Sequence, residues 1–402
     1  MVSFLERKKA PHCILELLKN QNRRGHEVNF RDKLSVFWNN LQYKLIPTIE
    51  QQMGPLSKKH KTLIAVLEII QIERFLFQSR FHIGRPKKDR IQLARAFIAK
   101  VILKKAYNND LIELLKVDSH LRVICGWYSV NEIPSESKFS RAFCEFAESE
   151  LPDRVHQAVI KEAYKNKLVF HVVKDSTALV AREKFLPESK ASKLEIDRAA
   201  ARRRYRGEPN RRQNQLLENN LDKMIADLPK LCDKGLKRNA SGYTITWRGY
   251  KLHVAIDDHC IPLAALVTSA SLNDCEAAIP LAAKCSKVVT NLYDLMDAAY
   301  DHPEIKEHSR LLGHVAIIDK CPRSKAEKIE KKAEQDRSRL MSFQTAEQER
   351  YRRRMPAERF NALYKNFYGG DTLKQRGHKK ITCEIMFGVL ALTGSLLLRL
   401  SQ

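Results

Sequence analysis

The apolar positions change their period part-way along the chain. Up to about residue 165 they recur at i, i+3 and i+4, as in Leu63-Ile-Ala-Val-Leu-Glu-Ile-Ile70, which is the spacing that lines one face of a helix. This spacing predicts helices from about 12 to 80, then over 91–106, 110–116 and 121–127, and a linking helix over 155–165. A further helix opens at Pro134-Ser-Glu-Ser-Lys-Phe-Ser-Arg-Ala-Phe143. There Ser135 suits an N-cap and Glu136 the first turn, while Lys138 and Arg141 face outward. Short helices followed by a capped basic one resemble a helix-turn-helix arrangement, with a plain helical bundle as the alternative.

After residue 165 the pattern becomes that of strands. Leu168-Val-Phe-His-Val-Val-Lys-Asp175 is a β-branched apolar run ending in an acid, as a buried core strand would be. Tyr243 to Asp257 alternates as a strand pair, Ile261 to Thr268 reads as a further strand, and 274–286 as a helix. Leu292-Tyr-Asp-Leu-Met-Asp297-Ala-Ala-Tyr-Asp301 is another strand with a terminal acid, followed by a helix over 303–312 and a last strand over 313–319. The segment 320–354 is charged and helical. Residues 381–400 are apolar, but the uncharged run between Glu384 and Arg399 is short for a bilayer and contains Gly388 and Gly394, so it reads as a buried core helix. The expected fold class is α/β. An all-helical N-terminal region over 1–160, its helix-turn-helix-like part at about 84–147, precedes an α/β domain over 161–402 with a mixed sheet flanked by helices. A basic insertion over about 181–240, with a helix around 216–231, interrupts that domain.

Charge then narrows the partner. The formal net charge is +25, which calls for a polyanion, with nucleic acid ahead of an anionic membrane. Two basic stretches add to this: Gly84-Arg-Pro-Lys-Lys88, an arm of the kind that lies in a minor groove, and the cluster containing Arg202, Arg203 and Arg204, which favours phosphate contact. The nine cysteines form no C-x-x-C pair and sit at no zinc spacing with histidines, so they read as reduced buried thiols. The N-terminus lacks the apolar core of a signal peptide, and the expected location is cytoplasmic, with no membrane.

The candidate chemistry lies in three acids. Asp175 and Asp297 end two strands, and they converge if those strands are neighbours. Glu358 stands in Tyr351-Arg-Arg-Arg-Met-Pro-Ala-Glu-Arg-Phe-Asn-Ala-Leu-Tyr-Lys365, where Tyr351, Arg354, Glu358 and Lys365 share one helical arc. Pro356 inside this stripe belongs in a first helical turn. One carboxylate among phosphate-seeking cations suggests a metal ligand that meets a nucleic-acid backbone, and oxygen ligands in this number suit Mg²⁺. Asp257, Asp258, Asp294, Asp301 and Asp319 compete for the same roles, and all of these acids can instead be caps and turn residues.

These residues resemble the bacterial insertion-sequence DDE transposases marked by the signature Y-(2)-R-(3)-E-(6)-K, met here at Tyr351, Arg354, Glu358 and Lys365. Asp175-Ser-Thr is similar to the first-acid strand end of that family. Asp297-Ala-Ala-Tyr300 is similar to its D-x-G-Y block, with Ala299 in place of glycine. The resemblance implies a ribonuclease H-like core and metal-dependent DNA cleavage and strand transfer at element ends. Asp175, Asp297 and Glu358 would hold two Mg²⁺ ions, with Mn²⁺ able to substitute, and Tyr351, Arg354 and Lys365 would grip DNA. The implied partners are terminal inverted repeats, target DNA and a second copy of the chain in a synaptic homodimer. A structure-specific ribonuclease H-like endonuclease and a non-catalytic DNA-binding derivative of a transposase are the rival readings.

Overall fold

The structure, a computed structural model, describes residues 36, 38–76, 90–183, 209–238, 242–322, 324–342 and 345–401. The basic arm at 84–88 and Arg202, Arg203 and Arg204 lie outside the described residues.

The described residues up to Ala163 are mostly helical, as their period predicts; the helices expected between about 12 and 35 lie outside the described residues. After a short π-helical turn at Leu41–Leu45 come α1 (Ile46–Met53), α2 (Lys58–Ile70), α3 (Arg90–Ile102), α4 (Asn108–Val117), α5 (Ser119–Cys125), α6 (Glu136–Glu148) and α7 (Leu151–Ala163). Ser135 takes the N-cap position of α6 with extended backbone, although its side chain makes no capping bond. Phe139, Phe143 and Phe146 recur along one face of α6 and meet Phe97 of α3 at ring-centroid distances of 5.9, 5.1 and 6.1 Å. These aromatics and Trp127 form the helical core.

The sheet holds β1 (Leu168–Ala181), β2 (Asp233–Arg238), β3 (Thr244–Ile256), β4 (Pro262–Ser269), β5 (Thr290–Met296), β6 (Val315–Ile318) and the short β7 (Thr372–Leu373). β1 pairs antiparallel with β3, and β3 with β4, while β5 runs parallel to β1 and β6 parallel to β5. Three antiparallel strands followed by helix, strand, helix and strand match the sequence expectation.

Three expectations are corrected. Asp175 does not end its strand: β1 runs on to Ala181 because its second half pairs with β3, and Asp175 stands mid-strand opposite Val254. The stretch 243–257 is one strand of 13 residues and not a strand pair. Its outer half pairs with β2 from inside the insertion, while its inner half pairs with β1. The helix expected around 216–231 is instead two short helices, α8 (Arg211–Leu217) and α9 (Leu221–Ala226). Asn220 separates them because its side chain accepts from the backbone N–H of Asp222 and Lys223, which starts a new helix.

The remaining helices are α10 (Ala278–Ser286), α11 (Pro303–Leu311), α12 (Lys325–Leu340), α13 (Ala346–Tyr351), α14 (Met355–Phe367) and α15 (His378–Ser401). By length and composition α15 could cross a bilayer, yet 89% of its most apolar window is buried inside the protein. It joins the two halves: Ile385, Val389 and Leu392 enter the core under the sheet, while Phe387 and Leu390 enter the helical core. Its glycines permit the close packing. A Cβ on Gly388 would lie 2.4 Å from the Tyr368 carbonyl, and one on Gly394 would lie 2.9 Å from Val66 Cγ1. Among the described cysteines none is in a disulfide, and only Cys321 is exposed.

Candidate active site

The parallel pairing of β1 with β5 runs from Leu168↔Thr290 to Val173↔Leu295. Asp175 and Asp297 each stand two residues beyond Val173 and Leu295. Continuing that register by two residues brings Asp175 and Asp297 side by side, and the charge of Asp297 acts on the Asp175 carboxyl. Asp297 ends β5 because its Oδ1 accepts from Ala299 N–H at 2.9 Å and opens a short 3₁₀ turn, Ala298–Tyr300. The strand expected to reach Asp301 therefore stops at Met296. Ala299 is not among the residues with positive φ, so alanine fits there without backbone strain.

Asp175 is the electrostatic centre of this end of the sheet. Burial raises its carboxyl above the usual range, and the charges of Asp297 and Asp274 push the same way, against a backbone hydrogen bond and the Arg354 guanidinium. Tyr300 lies within the same field: burial, then Asp274, Asp175 and Asp297, lift its phenol well above its ordinary value. Lys251 on β3 donates to Asp274 Oδ1 at 2.8 Å and neutralises that acid in part.

The signature residues approach from the C-terminal side, although not on a single helix. Tyr351 ends α13, Arg352–Arg354 is a 3₁₀ turn, and Pro356 sits in the first turn of α14. Arg354 Nη1 donates to Tyr351 Oη at 2.7 Å. Arg354 is raised above its ordinary value because Tyr351, Asp175 and Asp297 outweigh the opposing effect of burial. Lys365 is lowered by burial and by Lys237 of β2, with Asp175 and Asp371 opposing. Arg354 and Lys365 thus both feel the charge of Asp175.

Glu358 is exposed, and no described contact joins it to either aspartate. It does share a face with Asn361, one turn further along α14, whose Nδ2 donates to Asp175 Oδ2 at 3.0 Å. Lys138 and Arg141 are on α6, away from the acids; Arg141 is exposed and donates to the Ser137 carbonyl at 3.2 Å. Sequence reasoning missed Asn361, whose spacing of three from Glu358 and four from Lys365 was the available signal. It also missed Asp274 and Lys251, for which the local sequence carries none.

The competing acids have other partners. Asp257 accepts from the N–H groups of His259 and Ile261 in a turn, and Asp258 pairs with His171 at 3.0 Å. Asp301 pairs with Lys306 and Asp319 with Lys331. Asp294 is fully buried, and it accepts from Lys174 at 2.7 Å, Ser309 at 2.8 Å and Asn291 at 3.0 Å. Burial alone would raise its carboxyl, but Lys174 and His314 hold it well below the carboxylate range.

The negative charge at this end of the sheet comes from Asp175, Asp297 and Asp274, offset in part by Arg354 and Lys251. Carboxylates of this kind are the oxygen donors a hard divalent cation takes, although the three ligand atoms that lie within 4.8 Å of one another among the described residues are those of His60, Asp118 and His120. Around the sheet acids Tyr300 Oη, Arg354 Nε and Asn361 Oδ1 are buried without a hydrogen-bond partner. Such orphans mark a place where a metal, its water or a substrate oxygen completes the bonding.

Residues 221–393 match the family model described as a transposase DDE domain. The match supports a DDE transposase family and a transposition or nuclease enzyme in general. That family typically uses divalent metal ions and implies DNA binding, and the mixed sheet flanked by helices is consistent with its domain. Asp297 and Glu358 lie within the matched span, whereas Asp175 precedes it. No curated protein and no solved structure gives a match to the chain.

Proposed function

We propose that this protein is a DDE transposase that cleaves DNA at the ends of an insertion sequence and joins those ends to target DNA. What supports the reading is that adjacent parallel strands bring Asp175 and Asp297 into one another's field, with the charges of Arg354 and Lys365 acting on Asp175. Asp175, Asp297 and Glu358 are the residues that would hold Mg²⁺, with Mn²⁺ as substitute. When bound, the metal activates the attacking oxygen and stabilises the leaving one in in-line phosphoryl transfer. Water as nucleophile leaves a 3′-hydroxyl, and that hydroxyl then attacks a phosphate of the target strand.

The chain's own groups position the DNA. Arg354, oriented by Tyr351, and the half-buried Lys365 supply positive charge beside the acids, where charge develops on the scissile phosphate. Asn361 holds Asp175 in place. The helical region 1–160, with its helix-turn-helix-like part at about 84–147, reads the terminal repeats, and Lys138, Arg141 and Arg202 to Arg204 contact phosphates. Two copies of the chain hold the two ends together. If this is correct, Arg354→Ala and Lys365→Ala each weaken binding to end DNA and lower the slope of log K against log salt by about 0.9. Fluorescence anisotropy over a salt series measures that slope. An unchanged slope in both variants removes them from the DNA contact.

A further inference from the structure

A second cluster of ligand atoms lies in the helical region. His60, Asp118 and His120 each bring one metal-binding atom to a common point, all within 4.8 Å of one another. His60 is in the first turn of α2, Asp118 is the N-cap of α5, and His120 is the second residue of α5. His60 Nε2 and Asp118 Oδ2 are 2.9 Å apart, and the two imidazoles stack with centroids 5.6 Å apart.

Two features go beyond a surface ion pair. His120 Nε2 lies 2.9 Å from the Met53 carbonyl, which can only accept, so that nitrogen carries the proton and the neutral ring presents a lone pair at Nδ1. An outer N–H on a backbone carbonyl is how metal-ligating histidines are held in tautomer and orientation. His60 is buried, and its Nδ1 has no partner. His156, His171 and His253 also carry one buried nitrogen without a partner, so what sets this cluster apart is the gathering of three ligand atoms and the orientation of His120.

We infer that His60, Asp118 and His120 form a binding site for a borderline transition ion of the Zn²⁺ class, clamping α2 to α5. Two imidazoles and one carboxylate suit such an ion, whereas Mg²⁺ prefers oxygen alone. Three protein ligands leave one coordination position for water. The site is separate from the acids of the sheet, and it stands whether or not the chain is a transposase.

The test uses the full chain, stripped with chelator, in an Asp175→Asn background so that ions at the sheet acids do not confuse the reading. Calorimetric titration with Zn²⁺ and the visible absorption of added Co²⁺ report binding, and thermal melts report coupling to the fold. The expected result is about one equivalent of Zn²⁺ per chain, a Co²⁺ band, and a melting temperature raised by Zn²⁺ and not by Mg²⁺. Asp118→Asn keeps a good N-cap and so keeps the fold, yet it lowers Zn²⁺ affinity by at least about tenfold, as does His120→Gln. Absence of binding in the parent protein, or equal binding in both variants, overturns the site.

Discussion

Asp175→Asn is expected to abolish DNA cleavage while leaving the metal-free protein at least as stable as wild type. Losing a carboxylate ligand removes several kcal/mol of charge stabilisation, and about 4 kcal/mol corresponds to roughly a thousandfold in rate. The stability half of the prediction follows from the environment. Burial and the neighbouring Asp297 and Asp274 raise the Asp175 carboxyl. A carboxyl whose folded pKa is raised stabilises the fold below its unfolded pKa and loses that contribution as pH rises through the folded pKa. At neutral pH the ionised group is therefore a cost that Asn removes. The same shift means that protonation of Asp175 competes with metal binding, so cleavage by wild type needs more Mg²⁺ as the pH falls. Rate-against-pH profiles and thermal melts check both halves. A variant that cleaves normally, or one that is inactive only because it is unfolded, contradicts the assignment.

The largest stability effect is expected from Asp294. Lys174 and Asp294 form a pair with side-chain exposures of 2% and 0% that links β1 to β5. Asp294→Ala leaves a buried ammonium without a counter-charge, at a cost of about 3–5 kcal/mol. Replacing both partners with apolar residues restores much of that loss, since an apolar pair of similar volume is often no worse than a buried ion pair. Asp294 is held below the carboxylate range, so its contribution is present above the unfolded carboxylate pKa and is lost as pH falls through the lower, folded value. Lys174 precedes Asp175 and Asp294 lies three residues before Asp297, so the pair fixes the register on which the proposed site depends. Urea unfolding of the two single variants and the double variant measures the coupling. Additive losses would show that the pair does not act as a unit.

Much of the fold was legible because its core strands are apolar and β-branched. β1 announces itself as such a run and β5 as a shorter, mixed one, and each leads to an acid, so convergence of Asp175 and Asp297 followed once the strands were neighbours. Pro356 in a first turn, Ser135 at an N-cap position and the buried α15 were likewise readable from local chemistry. β2 was not. Asp233-Lys-Gly-Leu-Lys-Arg238 has no alternating apolar face, and it becomes a strand only because β3 offers a free edge. The break in the signature stripe was readable too, since Pro356 set the helix start and left Tyr351 and Arg354 ahead of it, whereas the 3₁₀ turn at Arg352–Arg354 carries no local signal. Asp274 and Lys251 reach the site, and His60 meets Asp118 across 58 residues of sequence, through packing that no local window encodes.

The measurement that bears most directly on the proposed activity is Mg²⁺-dependent strand cleavage of a DNA fragment carrying the gene's own flanks, with wild type beside Glu358→Gln. The account predicts cleavage at both flanks by wild type alone, with DNA binding retained by the variant. Absence of cleavage by either protein while both bind DNA tightly, or cleavage by the variant at the wild-type rate, would contradict it.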